Sequence, residues 1–386
     1  MPLKMPIYLD FNATTPVDPR VVEAMLPCFS EHFGNPSSKT HAWGWAAAAL
    51  VEKARQQVAR GLGAEPEEII FTSGATEANN LAIKGVARVS TTRTPRIVTC
   101  TTEHPAVLDA CRQLAREGVE VVELPVDEYG LIDRQRFDEA ITAPTVLVSV
   151  MLANNETGTL QPLVEIAALC RERGVLLHTD ATQAIGKLPV NVNALGVDLL
   201  SLSGHKLYGP KGVGALYVRR HRPRVRLAPL QDGGGQEQGI RSGTLNVPGI
   251  VGLGRAIELR QQEMESDMPR LQGLRDRLER ELSAQLADVQ INGHPVERLP
   301  NTSNLAFAGV DGAALFVGLK EIAVSSGSAC SSADPSPSHV LLALGRSREL
   351  ANASLRFSLG VPTTADEITI AVAAVVREVT RLRGRR

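Results

Sequence analysis

The chain has 386 residues, with 41 Lys and Arg against 42 Asp and Glu and a formal net charge of -1. That length suits one large domain with a smaller second one, and the balanced charge argues against a nucleic-acid binder. The longest apolar runs fall well short of a membrane span, and the N-terminus has neither a signal-type apolar region nor an Arg/Ser-rich transit character, so no membrane contact and a cytoplasmic location are expected.

From about residue 66 to 220, short apolar runs alternate with helical patterns, the signature of parallel strands joined by crossover helices. The predicted strands are Glu68 to Phe71, Arg96 to Cys100, Val119 to Leu124, Thr145 to Met151, Val175 to His178, Asp198 to Leu202 and Gly214 to Val218. Helices are predicted over Glu77 to Val86, Ala106 to Glu117 and Leu163 to Arg173. This is an α/β pattern with one central seven-stranded, mostly parallel sheet. Beyond Gly254 the texture changes to a long charged amphipathic helix, about Arg255 to Leu286. A smaller α+β unit follows, with strands at Val289 to Asn292, Thr302 to Phe307 and Ser354 to Ser358 and a helix ending the chain. The Arg-rich stretches around Arg219 to Arg226 and at the C-terminus read as a solvated turn and a tail.

The five cysteines form an odd set without CxxC spacing, which disfavours a disulfide framework and a zinc site. Cys100, Cys111 and Cys170 fall in apolar patterns and read as small core residues. Cys330 differs. It is flanked by Ser325-Ser326-Gly327-Ser328-Ala329 and Ser331-Ser332, a polar loop in which a thiol can stay exposed and move.

Polar clusters recur where the predicted strands end. Phe71-Thr72-Ser73-Gly74-Ala75-Thr76-Glu77 follows a strand and opens a helix, so its free N–H groups and the Thr76 hydroxyl suit an anion, although the string reads equally as an ordinary N-cap. His104, after Thr101-Thr102-Glu103, reads as a helix cap or as a flat neighbour for a ligand ring. Asn155 lies in the turn Asn154-Asn155-Glu156-Thr157-Gly158, and Asp180 and Gln183 lie just past an apolar strand. Ser203-Gly204-His205-Lys206 ends another, and a lone lysine there is by itself more simply structural. A doubly wound sheet converges such ends on one crevice, so these groups can line a single site.

That inventory has a specific chemical meaning. Pyridoxal phosphate needs a lysine amine to link to, an anion for its ring nitrogen, a phosphate cradle and a flat neighbour for the ring. Lys206, Asp180, the Thr76 helix terminus with Ser203 and His205, and His104 are the respective candidates, and Gln183 can donate to the phenolic oxygen. A nucleotide reading explains less, because neither GxGxxG nor GxxxxGK[ST] follows the first strand.

Taken together, Tyr8-Leu9-Asp10-Phe11-Asn12-Ala13-Thr14-Thr15-Pro16, His32-Phe33-Gly34-Asn35-Pro36-Ser37-Ser38, Thr102-Glu103-His104, Asn154-Asn155-Glu156-Thr157-Gly158, Ser203-Gly204-His205-Lys206, Arg241-Ser242-Gly243-Thr244 and Ser326-Gly327-Ser328-Ala329-Cys330 resemble the NifS/IscS group of cysteine desulfurases. The resemblance spans nearly the whole chain. It implies a class V aminotransferase-like fold with an N-terminal arm (1–14) joining the small domain, a large cofactor domain (15–258) and a small C-terminal domain (259–386). It also implies a homodimer that uses pyridoxal phosphate to convert L-cysteine to L-alanine, leaving the sulfur on Cys330 as a persulfide for an acceptor such as an iron–sulfur scaffold.

By motif position, the resemblance gives Lys206 the covalent link to the cofactor and sets His104 against the ring, where it assists proton transfer. Asp180 would face the ring nitrogen, with Gln183 and Asn155 near the phenolic oxygen. Ala75, Thr76, Ser203, Gly204 and His205 would hold the phosphate, joined by Thr244 from the other subunit, and Arg356 would pair with the substrate carboxylate. A persulfide on Cys330 would also be a transient ligand for iron. Phe11 and Ala75 depart from residues common in relatives without removing a group the chemistry needs, and the long loop after Cys330, with its extra Pro335, resembles the long-loop group more than the SufS group. A selenocysteine lyase or another class V aminotransferase shares the scaffold. A loop thiol is superfluous to an aminotransferase, and an amine such as Lys206 is superfluous to a non-catalytic sulfur carrier.

Overall fold

The computed structural model describes residues 6–326 and 336–384, and its strands fall into three sheets. A two-stranded pair joins β1 (Ile7–Tyr8) to β11 (Ile322–Ala323). The main sheet holds β2 (Ile69–Thr72), β3 (Arg96–Cys100), β4 (Glu120–Leu124), β5 (Thr145–Ser149), β6 (Leu176–Asp180), β7 (Leu199–Ser203) and β8 (Gly214–Val218). The third sheet is formed by β9 (Val289–Ile291), β10 (Thr302–Phe307) and β12 (Ser354–Ser358).

In the main sheet the strand order is β2-β8-β7-β6-β5-β3-β4, as the apolar runs predict seven strands. All pairings are parallel except those of β8, which runs antiparallel to both β7 and β2. Consequently β2, β3, β5, β6 and β7 all point their carboxyl ends to the same edge. β2, β7 and β8 are buried along their whole length, which is why they read as continuous apolar runs rather than alternating ones.

Two glycines bring the phosphate-type loop against this edge. A Cβ on Gly214 would lie 2.7 Å from the Gly74 Cα, so β8 can start beneath Gly74 only without a side chain. Gly74 itself has φ +154°, a conformation rarely adopted by residues with a Cβ, and it opens the helix Ala75–Val89.

The long helix begins at Val247, not at Arg255, and runs to Gln285. Gly252 and Gly254 look like loop residues in sequence, yet they let this helix approach its neighbours closely. A Cβ on Gly252 would meet Met25 Sδ at 2.6 Å, and one on Gly254 would meet the Ala54 Cα at 2.8 Å. Asn246 caps the start by accepting from the Gly249 N–H at 3.1 Å. The expected boundary at 258/259 falls inside this unbroken helix. Its apolar side chains belong to the main-sheet core up to Leu259 and to the core of the smaller sheet from Met268 onward.

The N-terminal segment links the same two regions. Leu9 is buried in the second core and Asp10 bridges to Ser358 of β12, whereas the Thr15 N–H donates to the His205 carbonyl at 2.9 Å. Cys28, Cys100, Cys111 and Cys170 are buried free thiols, and burial pushes the last three up to about 12. No described helix is long and apolar enough to cross a membrane.

Candidate active site

Asp180 is the last residue of β6, and the fold fixes both of its oxygens. Oδ2 accepts from Asn79 Nδ2 at 2.7 Å and Oδ1 from the Thr182 N–H at 2.9 Å, in a side chain that lines a cleft of about 640 Å³. Two residues earlier on the strand, His178 is clamped between the Ser149 and Ser201 hydroxyls at 2.8 and 3.0 Å. Burial pushes its imidazole down to about 4, so the ring beneath Asp180 is neutral.

The neighbouring strand β7 ends at Ser203 and passes into a short 3-10 turn, Gly204–Lys206, that turns Lys206 into the same cleft. The Lys206 amine donates to the backbone carbonyls of Asn12 at 2.6 Å and Ala13 at 2.7 Å. His205 Nδ1 lies 3.2 Å from the Thr14 hydroxyl. Burial, with the nearby Lys206 and Lys211 charges, pushes this histidine down to about 4. It is therefore a neutral hydrogen-bonding group.

His104 both caps a helix and lines the cleft, so its two readings hold together. Its Nδ1 accepts from the Ala106 N–H at 3.1 Å at the start of the helix Pro105–Arg116. A backbone N–H can only donate, so the neutral ring carries its hydrogen on Nε2. Burial lowers the pKa of His104, with Lys206 and His339 acting in the same sense against Asp180.

Across the cleft edge, the helix Ala75–Val89 has no side-chain cap, which leaves its first-turn amides for another acceptor. Ser203 Oγ lies 3.6 Å from where a Gly74 Cβ would stand, so the hydroxyl and those amides border one hollow. Burial would raise the Glu77 carboxyl there, but bonds to Arg241 and the Ser73 N–H bring it below its usual range.

The opposite wall comes from the smaller sheet. Arg356, at the centre of β12 and 4% exposed, pairs with Asp10 at 2.6 Å and donates to the Asn155 carbonyl at 2.9 Å. Next to Asn155, burial pushes Glu156 up to about 7 despite its 2.5 Å bond from the Ser338 hydroxyl.

Ten of the expected residues thus line one cleft: Ala75, Thr76, Ser203, His205 and Lys206 at the phosphate-type end, His104, Asn155, Asp180 and Gln183 in the middle, and Arg356 on the wall. Gly204 does not. It is buried in the turn, where a Cβ would sit 2.9 Å from the Pro210 carbonyl. Thr244 is exposed and away from the cleft of its own chain, and Cys330 lies outside the described residues. Gln183 has its Nε2 engaged with the Asn12 carbonyl at 2.9 Å and its Oε1 with Lys187 Nζ at 2.7 Å.

Sequence reasoning missed Asn12, Asn79 and Lys187. Asn79 carried a signal, a polar residue on the apolar face of its helix between Ala78 and Leu81. Lys187 stands four residues after Gln183 and carried none beyond that spacing.

The set fits pyridoxal phosphate. A cleft with the Lys206 amine at a strand end, a carboxylate braced by two donors, a neutral imidazole and an uncapped helix terminus beside a serine supplies each group that cofactor needs. No described cluster of His, Cys, Asp and Glu is arranged to hold a metal.

The chain matches the aminotransferase class-V family over residues 7–370. It is 53% identical over 382 residues to a cysteine desulfurase of Homo sapiens, covering 99% of this chain and 83% of that protein. Identity to the cysteine desulfurase IscS of Rickettsia rickettsii (strain Iowa) is 51%, covering 99% and 93%. Among solved structures, a NifS-like protein superposes with a TM-score of 0.91 at 38% identity, covering 98% of this chain and all of that one. SspA in complex with cysteine gives 0.81 at 38% identity, covering 92% and 98%.

Proposed function

Because the chain belongs to the aminotransferase class-V family, we infer that it is a pyridoxal-phosphate-dependent cysteine desulfurase, which takes the sulfur from L-cysteine and leaves L-alanine. The observation that carries this reading is the convergence of Lys206, Asp180, His104 and the Gly74 helix terminus on one cleft that Arg356 faces.

Bound pyridoxal phosphate supplies a carbonyl carbon to which amines attach and a ring that withdraws electrons from the attached carbon. Lys206 would hold the cofactor covalently, and its freed amine would carry a proton at Nζ. Asp180, braced by Asn79 and Thr182, stays oriented as the anion opposite the ring nitrogen. The first-turn amides at Ala75 and Thr76, with Ser203 and His205, hold the phosphate, and Thr244 reaches it from the second copy of a homodimer. Asn155 and Gln183 border the phenolic oxygen. His104 starts as a hydrogen donor at Nε2, because Ala106 occupies Nδ1. Arg356 takes the α-carboxylate of cysteine.

Cys330 takes the sulfur. Its thiolate forms an S–S bond as the substrate C–S bond breaks, and the electron pair of that bond stays on the three-carbon fragment, which is protonated to alanine. A thiol of ordinary pKa, about 8.5, is only a few per cent ionised at neutral pH, so the reaction needs the anion stabilised at the moment of attack. The persulfide then passes its sulfur to an acceptor protein of the iron–sulfur scaffold class, meeting iron only in transit.

Purified protein given L-cysteine and a reductant should release sulfide and alanine in equal amounts. Cys330→Ser should abolish sulfide release and retain the cofactor's visible absorption. Full sulfide release by that variant would overturn the persulfide role, and conversion of cysteine to its keto acid without sulfide would overturn the desulfurase reading.

A further inference from the structure

Lys187 is 7% exposed, and among the described residues its amine bonds to no carboxylate. Lysines are almost never buried in this way without an acidic partner. Its Nζ meets two amide oxygens instead, Gln183 Oε1 at 2.7 Å and Asn12 Oδ1 at 3.0 Å.

The lysine holds the oxygen ends of both amides, and other partners hold their nitrogen ends. Asn12 Nδ2 is directed at the Asn155 carbonyl at 3.2 Å and at the Thr302 hydroxyl at 2.9 Å, which leaves Oδ1 on the lysine side. Gln183 Nε2 faces the Asn12 carbonyl at 2.9 Å, which leaves Oε1 there too. A carbonyl can only accept, so neither amide can be turned over without setting oxygen against oxygen. Lys187 must therefore donate twice. Burial, with the Lys206 and Arg356 charges adding to it, lowers its pKa well below the usual lysine value. Two of its N–H groups have their acceptors here.

The consequence falls on Gln183, which lines the cleft. With Oε1 turned to Lys187 and one Nε2 hydrogen on Asn12, the second Nε2 hydrogen of the carboxamide is left to donate. Asn12 is held at the same time, and its backbone carbonyl is one of the two that receive the Lys206 amine. We propose that Lys187 is a positioning residue for the cofactor, fixing the Gln183 carboxamide as a donor toward the phenolic oxygen of pyridoxal phosphate and holding Asn12 under Lys206. This rests on the reading that Gln183 borders that oxygen.

The test compares Gln183→Ala, Lys187→Met and the double variant, each as full-length protein. Two quantities are read: the cofactor dissociation constant by equilibrium dialysis, and the visible absorption maximum at saturating cofactor. Lys187→Met should weaken cofactor binding about ten-fold, the effect of one lost hydrogen bond, and should move the absorption maximum in the same direction as Gln183→Ala. Added to Gln183→Ala, it should change affinity by no more than about two-fold.

Wild-type affinity and absorption in Lys187→Met, with only a lower melting temperature, would overturn the proposal alone. So would an undiminished ten-fold effect in the Gln183→Ala background. A wild-type spectrum and affinity in Gln183→Ala would overturn the reading of Gln183, and the proposal with it. Should Lys187→Met not fold, Lys187→Gln, shorter but still a donor, carries the same comparison.

Discussion

The floor of the cleft and the wall facing it are built on different plans. On the floor, Asp180, Ser203 and the Gly74 turn sit at the carboxyl ends of strands in a single sheet, and Lys206 follows one of those ends by a single turn. The wall depends on Arg356, which stands in another sheet and is held by Asp10 and Asn155, 346 and 201 residues away in the chain. A floor set by one sheet can hold a cofactor whether or not substrate is present. A wall assembled from three distant segments presents Arg356 to a carboxylate from outside the sheet that makes the floor.

If so, the two can be broken separately. Lys206→Ala, the most damaging change, should lower turnover by about 10⁴-fold or more, as loss of a covalent catalyst does. Borohydride reduction followed by peptide mass spectrometry should find the cofactor on Lys206 in the wild type and on no peptide of the variant. Arg356→Ala should reduce kcat/KM for cysteine about 100-fold, the scale of a lost charge-assisted pair, and leave cofactor affinity at the wild-type value. An equal loss of cofactor affinity would show that floor and wall are not separable.

The smallest effect concerns the stability of the wall. Burial raises the Glu156 carboxyl from 4.5 to about 7 in the folded chain. Between these values the unfolded chain gives up the proton and the folded chain keeps it, so this group's contribution is complete below pH 4.5 and is lost as pH rises to about 7. Glu156→Gln should flatten that decline in a series of melting temperatures against pH. His178 and His205, pushed down to about 4, act in the opposite sense below pH 6.5 and should keep their slope in the variant.

The same division explains what was legible in the sequence. Asp180 and Lys206 are polar residues that follow apolar runs, a local pattern, and β3, β8, β10 and β12 were bounded to the residue by composition alone. Arg356 is a charge in the middle of a fully buried strand, and only the family resemblance gave it a role. Asn12 acts through bonds spanning 171 to 194 residues, which no local pattern encodes, and Lys187 reaches it across 175 residues although its bond to Gln183 spans only four. The two-residue strands β1 and β11 were too short to carry a period, and the long helix lost its first turns to glycines chosen for close approach.

That helix has a further consequence. Its 39 residues extend about 58 Å at 1.5 Å per residue, with Leu253 and Ile257 rooted in one core and Leu271 and Leu278 in the other. Melting either core would strip half the burial from a helix on which the other depends, so cooperativity is written into a single covalent rod. The rod also joins the core that carries the lysine to the one that carries the arginine, and Pro269, which has no N–H to donate, interrupts its backbone hydrogen bonds where it passes into the second core.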